Sequence, residues 1–475
     1  MLTPHLQCEL LSTIRPGQVH FPGTAAYEKA RYNYWDEAQR ATSQACIYQP
    51  ASAGDTSCPF AVKSGGHGRF SGESSVAGGL GIDLVRLDKM KVSEDRESVT
   101  LGPGLRWLDV YTALEPLGLT VIGGRDADVG VGGFLLAGGI SFLSNEHGWG
   151  TENILSFEVV LANGTIMSAS VTQAPDLFKA LRGGGANFGI VTAFTLQSVP
   201  YRGMWGVMRA NTVEHLDGLL EAFDEYATVL TRKNPHVSVV INMGMHDGNW
   251  IFANDLEYGV PVDNAPPEAM KRFMDLPAVL DETGTRNMSA LTVSMANLSP
   301  RGNHNSYWVL VTKHDPDLLR FYVDTFMEES DRLLAGGSIP GFSPTGCIQT
   351  ISPNMRRLAR ERNGGNIMGS LAESDEPLLL FNPAMRFGDA AGAEEVYKLI
   401  DRILTATKRK ARELGKDHDY LYLNYASQFQ NPLGSYGAES TKLMREVAAK
   451  YDPKGVFQNL RAGGFKLDKP YDTLV

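Results

Sequence analysis

Glycine is concentrated in three short stretches of this chain: residues 64–72 (SGGHGRFSG), 123–142 (GGRDADVGVGGFLLAGGISF) and 182–192 (RGGGANFGIVT). Glycine admits positive φ and lets backbone N–H groups approach a ligand with no Cβ between. Successive N–H groups in such turns make concavities that hold anions, a diphosphate among them. One such loop is explained by a turn. Three within 130 residues, each attached to a strand-like segment, point to a nucleotide cofactor. The first also carries His67, directly after the strand-like FAVKS (60–64). Taken alone, that residue reads as a metal ligand, a base, a loop histidine satisfied by a carbonyl, or the attachment point of a cofactor.

The type of nucleotide is narrowed by what the motifs lack. GxxxxGK[ST] is absent, and GVGGFLLAGG has neither the GxGxxG spacing nor a βαβ setting. A flavin dinucleotide held by loops of an α+β domain remains. The net charge of −10 and the lack of Lys/Arg blocks argue against nucleic acid. The one basic run, KRKARE (408–413), lies in an apolar-periodic segment and reads as a solvated helix face. No apolar run approaches the ~18–20 residues of a membrane span, so the expectation is no membrane association. The first ten residues, MLTPHLQCEL, lack the cationic start and apolar core of a secretory signal. The compartment therefore stays open: cytoplasmic, or secreted if a leader has been removed. Four cysteines, at 8, 46, 58 and 347, show no CxxC spacing, and no metal site is expected. Cys8 and Cys46 read equally as a bridge or as two buried thiols.

Residues 46–200 hold consecutive short β-type runs with only two helical interruptions, at 106–119 and 174–184, which is an α+β and not a doubly wound pattern. Asn163-Gly164 marks a hairpin turn. From about 201 to 415, long amphipathic helices (212–233 and 315–335) alternate with strand candidates. VSVVINMGM, NWIFANDLEYG, ALTVSMA, YWVLVTKH and LLLFNPAMRF are read as those strands. This predicts a second domain with an antiparallel sheet covered by helices. Residues 416–475 are expected to return to the first domain (1–200, core about 40–200).

AVKSGGHG, the 123–164 stretch, LFKALRGGGANFGIVTAFTL, YLNY and YDPKGVFQ occur in this order. Together they resemble the berberine bridge enzyme-like branch of the vanillyl-alcohol oxidase flavoproteins, with the texture of the fungal FAD-linked oxidoreductases. The resemblance spans nearly the whole chain. It implies a two-lobed PCMH-type FAD-binding domain, a substrate domain, and the flavin ring at their junction. It also implies a covalent bond from a ring nitrogen of His67 to FAD. Relatives with CPTVGVGG carry a second bond from its cysteine; here DADVGVGG puts Asp126 at that position, so His67 is the single tether and a sugar-oligomer oxidase is disfavoured. The Cys8/Cys46 pair resembles an N-terminal disulfide of secreted relatives.

The same resemblance names the residues expected to cradle FAD: Lys63, Ser64, Gly65, Gly66 and Gly68; Asp128, Val129, Gly130, Gly132 and Gly133; Gly138, Gly139, Asn153 and Ile154; Gly189, Ile190 and Val191. Val129 falls where the family has its oxygen gate, and a small side chain there favours an oxidase. Within YLYLNY, Tyr425 is the expected general base, with Asn424 near the flavin and Tyr422 as the competing base. Strand alternation would put Tyr422 and Asn424 on one face and Tyr425 on the other, so both tyrosines face the ring only if the chain turns. His147, His304 and His314 read as structural or solvent-facing. The expected activity is a monomeric FAD-linked oxidase. It would take a hydride from an activated C–H of a small alcohol, amine or phenol-like metabolite and pass electrons to O₂ to give H₂O₂. A flavin-dependent cyclase or cycloaddition catalyst, a carbohydrate oxidase, and a non-catalytic flavin-bound binding protein are the alternatives.

Overall fold

The structure is a computed structural model that describes residues 3–50, 58–263, 265–337, 339–372 and 374–468. Four strands open it: β1 (Val19–His20), β2 (Cys46–Tyr48), β3 (Phe60–Lys63) and β4 (Leu80–Asp83). They pair in the order β1-β2-β4-β3, with β2 and β3 both parallel to β4. Cys8, on the first helix (Pro4–Ile14), is disulfide-bonded to Cys46 of β2.

Seven strands follow: β5 (Met90–Val92), β6 (Ser98–Leu101), β7 (Leu119–Thr120), β8 (Ile154–Val160), β9 (Ile166–Ser170), β10 (Ile190–Gln197) and β11 (Val199–Pro200). Five of them form an antiparallel sheet in the order β5-β6-β10-β8-β9, and β7 pairs with β11. The β8–β9 hairpin turns at Asn163-Gly164, where Gly164 takes φ +80°. The helices Trp107–Leu114 and Pro175–Leu181 fall inside the two segments read as helical.

The second region begins at β12 (Met204–Thr212) and continues through β13 (Val237–His246), β14 (Asn249–Tyr258), β15 (Leu280–Asp281), β16 (Gly284–Arg286), β17 (His304–Tyr307), β18 (Leu310–Lys313), β19 (Gly346–Ile351) and β20 (Leu378–Phe387). These nine strands build one sheet with the path β15-β12-β14-β13-β19-β20-β17. Every pairing in it is antiparallel. Successive strand side chains point to opposite faces. One face, with Val239, Ile241, Ile348 and Phe381, is covered by the helices Leu216–Glu225, Pro316–Gly336 and Ala393–Glu413 through Phe223, Tyr322, Phe326 and Ile400. The other face carries Val240, Asn242, Cys347, Gln349 and Asn382, and it lines a cavity.

ALTVSMA, expected as a strand, is part of the helix Met288–Asn297. The β-branched Thr292 and Val293 suggest a strand. The apolar spacing decides otherwise, since Met288, Leu291 and Thr292 are buried together on one helical face.

The C-terminal residues pack on the first region. Phe60 of β3 donates its N–H to the Leu460 carbonyl and accepts from Ala462. Tyr420, Tyr422, Met444 and Val447 share one apolar core with Trp107, Phe157 and Phe178. Among the described residues no helix is long and apolar enough to cross a membrane. The chain is α+β throughout, as the strand order in the sequence implies.

Candidate active site

A cavity of about 980 Å³ lies between the glycine-rich loops of the first region and the uncovered face of the nine-stranded sheet. From the first glycine stretch it takes Ser64, Gly65, Gly66, His67 and Gly68. From the second it takes Asp126, Val129, Gly130, Gly132 and Gly133, and from the third Gly189, Ile190 and Val191. Tyr422, Asn424 and Tyr425 close it from the C-terminal segment.

The first two loops cross so tightly that neither admits a side chain. A Cβ on Gly65 would stand 2.5 Å from Gly130 Cα, and one on Gly130 would stand 2.4 Å from Gly65 N. Ser64 ties the crossing together: its hydroxyl donates to the Pro103 carbonyl at 2.5 Å and accepts from Gly132 N–H at 3.2 Å. A Cβ on Gly133, by contrast, would meet nothing within 4 Å.

Six residues assigned to the cofactor do not line this cavity. The Lys63 ammonium is buried against Asp83 at 3.1 Å and the Ala30 carbonyl at 2.9 Å. Asp128 is occupied by ion pairs to Arg106 and Arg301. Gly138 and Gly139 turn with φ +105° and +88° against Met368, Trp149 and Phe134. Asn153 spends its amide on the His147 and Trp149 carbonyls, and Ile154 is buried in the core. His314 bonds Asp224 and His304 stacks on Phe387, both away from the cavity, as is His147.

His67 is the notable group on the first lobe. Its ring stacks on Trp35, with centroids 4.4 Å apart and planes 11° from parallel. Its Nε2 is buried and has no hydrogen-bond partner among the described residues. Burial pushes its pKa down to about 3, so the imidazole is neutral and its lone pair is available. An unpaired buried polar atom is costly unless something else satisfies it. A neutral imidazole beside loops that only glycine can form fits the attachment of an FAD ring.

The tail segment is a turn and not a strand. Tyr425 N–H bonds the Tyr422 carbonyl at 2.9 Å, and Arg69 clamps the outer side through the Asn424 and Ala426 carbonyls. Both tyrosines therefore reach the cavity, their rings 4.9 Å apart. The Tyr422 hydroxyl accepts from Ile140 N–H and from the Asn424 amide, each at 3.0 Å. The Tyr425 hydroxyl accepts from Arg125 at 2.9 Å and from the Gln349 amide at 3.2 Å. Burial raises both phenol pKa values, and the Arg125 guanidinium opposes this at Tyr425. Ring contacts run from His67 through Trp35 and Tyr307 to Tyr425, so the two candidate centres belong to one aromatic wall.

Arg125, Gln349, Tyr307, Trp35 and Arg69 are site residues that the sequence did not single out. Arg125 stands beside Asp126 inside a recognised motif, and that adjacency is its one signal. Gln349 lies 224 residues further on.

An α+β domain whose glycine loops enclose a cavity beside a histidine and a tyrosine–arginine pair defines a flavin-binding oxidoreductase. Residues 45–170 match the family described as "FAD binding domain". Over 488 aligned residues the chain is 32% identical to "FAD-dependent monooxygenase tpcD" of Cochliobolus heterostrophus, covering 98% of this chain and 93% of the relative. The chain belongs to the family of FAD-dependent oxidoreductases that includes this relative. Solved structures share the fold. The 6-hydroxy-D-nicotine oxidase of Arthrobacter nicotinovorans superimposes with TM-score 0.77 at 22% identity, over 95% of this chain and 98% of that one. A berberine bridge enzyme-like protein of Physcomitrella patens does so with TM-score 0.77 at 18% identity, over 98% and 100%.

Proposed function

We propose that this FAD-dependent oxidoreductase removes two electrons from an activated C–H of a small alcohol, amine or phenol-like molecule and delivers them to O₂. The overall balance is one substrate oxidised by two electrons and two protons, with O₂ reduced to H₂O₂. When bound, FAD supplies the hydride acceptor. The chain's own residues do the rest. His67 offers a neutral ring nitrogen as the covalent tether, with Trp35 holding the ring's plane.

Tyr425 is the proposed base. Two N–H donors, one of them cationic, converge on its hydroxyl oxygen and stabilise the phenolate, the form in which it can accept the substrate's proton. This is the observation that carries the reading. Tyr422 has only neutral donors and holds the turn through Ile140 and Asn424. Val129 lines the cavity, and its short side chain leaves space for O₂.

The test is oxygen uptake and peroxide release on a panel of alcohols, amines and phenols. Peroxide equimolar with oxidised product supports the reading. A product that gains an oxygen atom from O₂ without peroxide would replace it with monooxygenation, the activity in the name of the Cochliobolus relative. Turnover without flavin reduction would replace it with a cyclase.

A further inference from the structure

Arg125 places a guanidinium on the cavity wall, and no carboxylate lies within ion-pair distance of it among the described residues. Its protein partners are both neutral: the Gln349 side-chain oxygen at 2.8 Å and the Tyr425 hydroxyl at 2.9 Å. Both bonds use Nη2, so the Nε and Nη1 hydrogens are left for something in the cavity. Asp255 and Glu257 of β14 feel the Arg125 charge, but neither forms an ion pair with it among the described residues, and burial raises the pKa of both. Cys347, Asn242 and Asn382 carry uncharged side chains, and burial holds the Cys347 thiol up. Arginine's planar fork matches an oxyanion bidentately. Desolvating it without a directly paired anion is expensive, and a ligand that brings one to its free edge recovers part of that cost.

Much of the rest of the lining is apolar. Met208, Met245, Ile251, Leu280, Met295 and Leu298 line the same cavity. An extended sugar would leave its hydroxyls unpaired there, whereas an aromatic or aliphatic body would be covered. Resting on the proposed oxidation at this site, we infer that the substrate is an organic acid: a largely apolar body with one ionised oxygen group, a carboxylate or an acidic phenol or enol, seated on Arg125. The acidic group and the reacting C–H then lie on the same end of the molecule, next to Tyr425. Arg125 is thereby the residue that selects and orients the substrate.

The probes are 2-naphthoate and its neutral isostere 2-naphthamide, titrated into the FAD-loaded protein and followed by the change in flavin absorbance. The expected result is that the carboxylate binds about tenfold or more tightly than the amide. In Arg125→Gln this preference should vanish with flavin content unchanged, and Arg125→Lys should keep part of it. Arg69, Arg386 and Arg461 line the same cavity; Arg69 and Arg461 already bond the Asn424, Ala426 and Phe465 carbonyls, so Arg386 is the cation to test against, and Arg386→Gln should retain the preference. Equal binding of the two probes to the parent, or loss of the preference in Arg386→Gln instead of Arg125→Gln, overturns the inference. Either outcome leaves the oxidase reading standing, since that reading fails separately if no peroxide accompanies turnover.

Discussion

The Tyr425 hydroxyl lies 2.9 Å from the Arg125 guanidinium, and the same guanidinium nitrogen bonds the Gln349 side chain that also reaches Tyr425. The three groups form a closed triangle on which the proposed chemistry rests. Removing the phenol in Tyr425→Phe should lower kcat by about 10²–10⁴-fold, the usual range for a lost general base. Tyr422→Phe should cost less, because its hydroxyl serves the turn. Burial raises the Tyr425 pKa and Arg125 pulls it back. Activity should therefore rise with pH, and in Arg125→Gln the rising limb should move to higher pH. A pH–rate series on both proteins checks the sign.

Trp35 stacks on His67 and fixes the plane in which its ring nitrogens are presented. Such a ring pair contributes about 0.5–1.5 kcal/mol beyond the area it buries. Trp35→Ala should leave FAD bound but lower the fraction that is covalent, and Trp35→Phe should restore much of it. The ratio of flavin in an acid pellet to flavin in its supernatant measures this directly.

Gly65 and Gly130 pass with no space for a Cβ on either. Gly65→Ala or Gly130→Ala should force the two loops apart, lowering both Tm and FAD content. Gly133→Ala is the contrast, since its Cβ would point into open space. It should keep the parent Tm and affect only cofactor loading.

Glu152 is buried, accepts from Trp149 N–H at 2.5 Å and from Asn366 at 2.6 Å, and burial raises its pKa to about 7. The folded state thus holds a proton that the unfolded chain releases near pH 4.5. Its contribution to stability is full below that pH and is lost as the pH rises through about 7. Glu152→Gln cannot ionise and keeps one of the two hydrogen bonds, since its amide nitrogen cannot accept. Its Tm should fall less between pH 5 and 8 than the parent's, which a melting series at several pH values tests.

The legibility of this site in the sequence divides by distance along the chain. The glycine stretches and His67 were readable because each is a local motif whose chemistry follows from its own residues. The Tyr422–Tyr425 segment was readable in composition and not in shape. Its turn is secured by Arg69, some 355 residues away, and period-two alternation gave the wrong faces. Lys63 and Asn153 sit in recognisable motifs, yet Asp83 and the His147 and Trp149 carbonyls engage them instead of the cavity. Arg125 and Gln349 meet only when the nine-stranded sheet turns its uncovered face to the first lobe. No spacing rule reports a contact of that kind.

On the proposed reading, His67 carries FAD covalently as the single tether. Acid-precipitated protein run on a denaturing gel under ultraviolet light tests it most directly. Flavin fluorescence should migrate with the parent chain and be absent from the His67→Ala band. A colourless parent band with yellow supernatant, or a fluorescent His67→Ala band, would contradict it.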